Sequence, residues 1–150
     1  MGIQRVGHVV VKMRDLEEAK RFYGGILGMT ISSESPIAIF FRFGDYHHDI
    51  GVFKVDENAE SPSEGSVGLL HFALVVDSEA ALLETYEHLK AQGVTIEATF
   101  DHGMTHSLYV YDPDGNAIEI YCEVPEYDWR ANDDFVGHLL PLDLEAAVGA

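Results

Sequence analysis

Apolar and polar residues alternate along Thr105–Tyr111, THSLYVY, and again along Asn116–Tyr121, NAIEIY. A period of two predicts strands with one buried and one open face. Between the two runs lies Asp112-Pro113-Asp114-Gly115. Pro suits the second position of a type I turn, and Gly tolerates the left-handed position that follows. The stretch therefore reads as a β-hairpin with a three-residue loop and a bulge. Pairing Asp112 with Asn116 sets Tyr109 opposite Glu119. Leu108, Val110, Ile118 and Ile120 then share an apolar face, which predicts a covering helix. Ser107, Tyr109, Tyr111, Ala117, Glu119 and Tyr121 lie on the other. A carboxylate in mid-strand between two isoleucines is costly to bury without a partner.

The rest of the chain supplies matching elements. Val6–Met13 alternates as a strand, with Val6, His8 and Val10 on one face. Asp15 opens a helix, with Glu18 placed as in a capping box. Leu16, Ala19, Phe22, Tyr23, Ile26 and Leu27 form its apolar stripe, and Gly28 ends it. Met29–Ser33, Ile37–Phe43 and His48–Phe53 read as three further strands, separated by turn residues. Lys54–Ser66 is polar and turn-rich, as a linker would be. Val67–Val76 is then a strand in which Leu69, His71, Ala73 and Val75 share a face. A helix capped by Asp77 or Ser78 follows, with Leu82, Leu83, Tyr86 and Leu89 apolar and Gly93 as its stop. Val94–Phe100 is a strand, and the hairpin completes the set.

The order strand, helix, three strands thus occurs twice, and a His sits within the first strand of each half: His8, then His71, 63 residues later. Internal duplication is the first reading this order suggests. The predicted fold is α+β: two paired βαβββ modules forming a cup-shaped, partly closed sheet around a metal site. One domain of 150 residues would hold module one at about 4–53, a linker at 54–66, module two at about 67–123 and a C-terminal arm at 124–150. Trp129 is expected as a packing anchor of that arm. Leu139, Leu140 and Leu142 are expected to dock on the body or on a second subunit.

Composition narrows the partners. The net charge of −17 argues against nucleic acid and anionic membrane surfaces. No apolar run approaches the roughly 20 residues of a membrane span, and no secretory leader opens the sequence. Cys122 is the only cysteine, which excludes an internal disulfide and fits a reducing cytoplasm.

The open faces carry the candidate chemistry. His8, His71 and Glu119 would supply two imidazoles and a carboxylate, the ligand set of non-haem Fe(II) oxygenases with open coordination positions. The same set could hold zinc and activate water. A single strand His is more often a satisfied core residue; its duplication, with a mid-strand Glu, favours a metal. His48, His102 and Tyr109 are candidates for proton transfer beside it. His47 reads as a solvated turn residue. His88 and His106 fall on a helix surface and at a rim, and His138 lies in the arm.

These residues carry a resemblance. Asp101-His102-Gly103, Leu108-Tyr109, Asp112-Pro113-Asp114-Gly115-Asn116 and Glu119 together resemble the type I extradiol (catechol 2,3-) dioxygenases. His47-His48-Asp49-Ile50-Gly51-Val52-Phe53 resembles that family's segment with the acid–base histidine. Gly7-His8 and Leu70-His71-Phe72 resemble its two metal-binding strands. Phe100 departs from the pattern, which has a small or β-branched residue there. The resemblance places the chain, in single-domain form, in the vicinal oxygen chelate (glyoxalase/bleomycin resistance/dioxygenase) superfamily and covers nearly all of residues 5–123.

It implies that His8, His71 and Glu119 bind Fe(II), or less often Mn(II). It implies that His48 acts as acid–base, that Tyr109 hydrogen-bonds the deprotonated catechol oxygen, and that His102 bonds a substrate hydroxyl. The partners would be a catechol-type diol and dioxygen, within a homo-oligomer. Arg42 is the only near-site candidate to hold a substrate carboxylate, so neutral or apolar catechols are expected. Two alternatives belong to the same superfamily. A glyoxalase I-like isomerase or lyase takes a fourth ligand, but Ile50-Gly51-Val52-Phe53 offers no coordinating side chain at that slot. A non-catalytic small-molecule-binding protein would lack the metal set.

Overall fold

The computed structural model describes residues 2–63, 65–132, 138–144 and 146. The chain forms two compact units: Met1–Val67 with Asp112–Asn116, and Gly68–Tyr111 with Ala117–Ala150.

In the first unit the order is β1 (Val9–Met13), α1 (Leu16–Ala19), a π-helical stretch (Lys20–Ile26), β2 (Thr30–Ser35), β3 (Ala38–Arg42) and β4 (Ile50–Lys54). The sheet order is β1-β4-β3-β2. β1 runs parallel to β4, and the other neighbours are antiparallel. A parallel pair needs a long crossover, which the helical segment and two strands supply. Asp15 caps α1 by accepting the Glu17 amide at 2.8 Å. No reciprocal capping box forms, because Glu18 pairs with Arg21 instead. The expected single α-helix widens after Ala19, where the Leu27 amide reaches back five residues to the Phe22 carbonyl at 2.9 Å. This buries Phe22, Tyr23 and Ile26 together, with Tyr23 against Phe41.

Residues 112–116, the hairpin turn, count with this unit. Asp112 is buried and accepts from the Tyr23 hydroxyl (2.9 Å), the Asn116 side chain (2.7 Å), and the Asp114 and Asn116 amides (3.0 and 2.8 Å). Four donors on one carboxylate satisfy a group that burial alone would penalise. Asp114 is paired with Arg14, whose guanidinium also reaches Ala59 and Ser61 of the polar segment.

The second unit contains β5 (Phe72–Val75), α2 (Glu79–Ala91), β6 (Ala98–Asp101), β7 (Thr105–Tyr111), β8 (Ala117–Glu123) and β9 (Leu140–Pro141). Its sheet order is β5-β8-β7-β6-β9, with β5 parallel to β8. The strand–helix–three-strand order therefore repeats, and the fold is α+β with two mixed sheets. Ser78 caps α2 through the Ala81 amide, and Gly93, at φ +76°, turns the chain after it. α2 lies against β8 and β7. Its Leu82 and Leu89 are fully buried, as are Leu108, Val110, Ile118, Ile120 and Cys122 of the hairpin's apolar face. Each of the Leu, Val and Ile side chains contributes about 1.5–3 kcal/mol by leaving water.

The first strands of both halves are shorter than the alternation suggests. β5 pairs with β8 only from Phe72 opposite Ile118 to Val75 opposite Tyr121. Val67, Leu69 and Leu70, expected in that strand, are exposed. β1 likewise starts where Val9 meets Ile50. His8 and His71 therefore sit immediately before their strands rather than within them. The expected strand Val94–Phe100 shrinks to β6, since pairing with β7 begins at Ala98 opposite Tyr109. β9 was not expected as a strand. It pairs with β6, setting Leu140 opposite Asp101 and Pro141 opposite Phe100. Leu139 and Leu140 are exposed in the single chain rather than docked on its body, while Leu144 is buried. The expected arm residues at 133–137, 145 and 147–150 lie outside the described residues.

Candidate functional site

The β7–β8 register fixes the centre of the site. Tyr109 stands opposite Glu119, and its hydroxyl donates to Glu119 Oε1 at 2.9 Å. The other carboxylate oxygen, Oε2, lies 3.1 Å from His71 Nε2. His71 reaches this position because β5 runs parallel to β8, with Phe72 opposite Ile118. His102, just after β6, places Nε2 at 2.9 Å from the Tyr109 hydroxyl and 4.0 Å from Glu119 Oε1. Its Nδ1 is 3.2 Å from the His138 carbonyl. Four residues named from the sequence, His71, His102, Tyr109 and Glu119, are thus brought together in the second unit.

This cluster lines a cleft of about 620 Å³. Met104, Tyr121 and Trp129 provide further wall. Sequence reasoning missed all three as site residues. Trp129, expected as a packing anchor, is 46% exposed and lines the cleft, with the Arg130 guanidinium over its ring. The cause is local: after β8 the Tyr127 amide bonds the Val124 carbonyl and the Trp129 amide bonds Tyr127, so the chain turns instead of running extended. Tyr121 shares the Glu119 face by strand alternation, and that was the signal available for it.

The electrostatics follow from burial and the carboxylate. The Tyr109 phenol is pushed well above its ordinary ionisation, first by burial and then by the bond to Glu119 and its charge. Tyr109 therefore stays protonated and acts as a donor. Neither Lys nor Arg is among the described residues lining the cleft. Imidazoles and carboxylates without a fixed positive charge fit a divalent cation, and His71 with Glu119 provides two adjacent donors for one. Among the described residues, no three His, Cys, Asp or Glu side chains gather as a complete ligand group.

In the first unit His8 and His48 lie together, with ring centroids 4.3 Å apart. Phe40 stacks on His48 at 4.6 Å, and His47 Nδ1 is 2.6 Å from His48 Nδ1. Desolvation, followed by the neighbouring His8 and His47, lowers the His48 pKa from its ordinary value. His47 is exposed. Arg42 is engaged with the Gly44 carbonyl. His106, expected away from the site, bonds Glu79 of α2 at 3.0 Å.

A family model described as the Glyoxalase/Bleomycin resistance protein/Dioxygenase superfamily matches residues 5–120. The chain belongs to this superfamily. Biphenyl-2,3-diol 1,2-dioxygenase 2 of Rhodococcus globerulus is 31% identical to it over 116 residues, covering 77% of this chain and 61% of that protein. Catechol-2,3-dioxygenase of Bacillus subtilis is 28% identical over 126 residues, covering 83% of this chain and 44% of that protein. The chain spans less than two thirds of the length of either relative. Among solved structures, a lactoylglutathione lyase from Agrobacterium tumefaciens superimposes with a TM-score of 0.64 at 24% identity, covering 81% of this chain and 96% of that one. That likeness bears on the fold. Among the described residues no helix is long and apolar enough to cross a membrane.

Proposed function

We propose that the protein is an extradiol ring-cleaving dioxygenase. It acts on a catechol-type vicinal diol with dioxygen, and His8, His71 and Glu119 hold a non-haem Fe(II). The observation that carries this reading is the continuous chain His71–Glu119–Tyr109–His102, which sets a carboxylate and an imidazole beside a phenol that keeps its proton. The similarity to two proteins named as diol dioxygenases supports it. Held by these residues, Fe(II) would supply a Lewis acid that acidifies a substrate hydroxyl and would lower the entropic barrier to bringing the two reactants together.

The chain's own residues do the rest. His48 takes the proton released from the diol and returns it to the product; its lowered pKa keeps it able to accept. Tyr109 donates to the deprotonated ring oxygen. His102 bonds the other substrate hydroxyl. Trp129 and Met104 offer the ring substituent an apolar wall, and the absence of Lys or Arg among the described lining residues favours a neutral substrate. Both oxygen atoms end in a ring-opened semialdehyde acid. The lone buried thiol of Cys122 suits a cytoplasmic setting.

The test is anaerobic loading with Fe(II), followed by oxygen uptake against a panel of neutral and carboxylated catechols. One dioxygen consumed per diol, with a yellow ring-cleavage product, is expected. His71→Ala and Glu119→Ala should lose bound iron, whereas His48→Ala should keep iron and lose most turnover. Wild-type iron content in the two ligand variants, or no oxygen uptake with any catechol, overturns the reading.

A further inference from the structure

Residues 138–144 lie beyond the stretch that the superfamily model matches, yet they touch the site. Both ring nitrogens of His102 have partners. Nδ1 faces the His138 carbonyl at 3.2 Å, and Nε2 faces the Tyr109 hydroxyl at 2.9 Å. A carbonyl oxygen only accepts, so Nδ1 carries the proton, and a neutral imidazole then presents a lone pair at Nε2. The single Tyr109 proton consequently has two acceptors, His102 Nε2 and Glu119 Oε1, each at 2.9 Å.

The segment that carries the His138 carbonyl is held at several points. Leu140 and Pro141 pair with Asp101 and Phe100. The Leu142 amide bonds the Thr99 carbonyl at 3.2 Å, and the Thr99 hydroxyl bonds the Leu142 carbonyl at 2.5 Å. Leu144 is buried. The His138 ring comes within 3.7 Å of Asp101 Oδ1, the same oxygen that accepts the Gly103 amide at 2.6 Å. The tail is therefore tied to β6 along Thr99–Asp101, immediately before His102.

We propose that segment 138–144 is a positioning element of the site, whose His138 carbonyl holds His102 in the Nδ1–H tautomer with Nε2 turned to the Tyr109 hydroxyl. It rests on the dioxygenase reading only in giving His102 and Tyr109 a part in the reaction. Without this carbonyl, an imidazole is free to carry its proton on Nε2, which would then compete as a donor towards Tyr109.

The experiment is ring-nitrogen NMR on the metal-free 150-residue chain with 15N-labelled histidine, at a pH where His102 is neutral. The His102 signals are assigned by their loss in His102→Gln. Nδ1 is expected to show the protonated shift and Nε2 the bare one. A chain ending at residue 137 should lose that preference and move both shifts towards, or past, their average. Thr99→Val in the full chain removes one anchor, leaves the backbone ladder intact, and should move the shifts part of the way. An Nε2–H signature in the wild type overturns the proposal. So do unchanged His102 shifts in a folded chain ending at 137; if that chain does not fold, unchanged shifts in Thr99→Val overturn it. Because no iron or catechol is present, failure here is separate from failure of the oxygen-uptake assay.

Discussion

Tyr23→Phe removes one oxygen atom from a buried pair. Tyr23 is 0% exposed and Asp112 4%. Their bond, at 2.9 Å, is one of four that the Asp112 carboxylate accepts. A hydrogen bond to a charged group is worth about 1.5–3 kcal/mol net. Three donors stay on Asp112 after the change, so the loss belongs near the lower end, about 1.5–2 kcal/mol. For a chain of this size that corresponds to a fall in Tm of roughly 3–8 °C. A pH dependence goes with it. Burial, and then the charge of Asp112, raises the folded-state pKa of Tyr23 above its ordinary value. The unfolded chain ionises this phenol near pH ~10 while the folded one does not. Stability from this group is therefore complete below about pH 10 and is lost as pH rises beyond it. The assay is urea unfolding from pH 7 to 11 for wild type, Tyr23→Phe, Asp112→Asn and the double variant. Wild type should lose stability more steeply above pH 10 than Tyr23→Phe, and the two substitutions should couple. Equal midpoints for wild type and Tyr23→Phe at pH 7, or fully additive effects, would refute the reasoning.

Two further outcomes follow from single positions. Gly103 adopts φ +76°, and a β-carbon there would lie 2.8 Å from Tyr127 Cε2. Gly103→Ala should cost about 1–2 kcal/mol from the left-handed backbone alone, with a further loss from the contact; thermal unfolding measures it, and an unchanged Tm contradicts the geometry. Cys122 is buried, and burial raises its thiol pKa. Alkylation at pH 8 should be negligible in the folded protein and should rise with the unfolded fraction in urea; prompt labelling of the native chain would contradict the placement.

The hairpin was legible down to its register because every determinant is local: Pro113 and Gly115 select the turn, and alternation then fixes which side chains meet. The repeated strand–helix–three-strand order was legible for the same reason. The π-helical turns were not. Phe22, Tyr23 and Ile26 lie three and four residues apart, a spacing that seven residues cannot distinguish from an α-helical stripe. The true strand starts at Val9 and Phe72 were hidden because alternation runs on through residues that have no partner strand. β9 and the cleft-facing Trp129 depend on where a distant edge and a short turn lie, and neither leaves a periodic trace in the sequence. His102 and Tyr109 could be named from the residue pattern, but the carbonyl of His138 could not, since a backbone group has no residue type.

β9 also bears on the protein's behaviour in concentrated solution. An uncovered outer strand is a template on which other chains can add and polymerise. Among the described residues the sheet continues beyond β6 for only two residues, and the second, Pro141, has no amide hydrogen to give. An incoming strand would find too few donors in register there to grow from, so that border of the sheet is protected against fibril-type self-association.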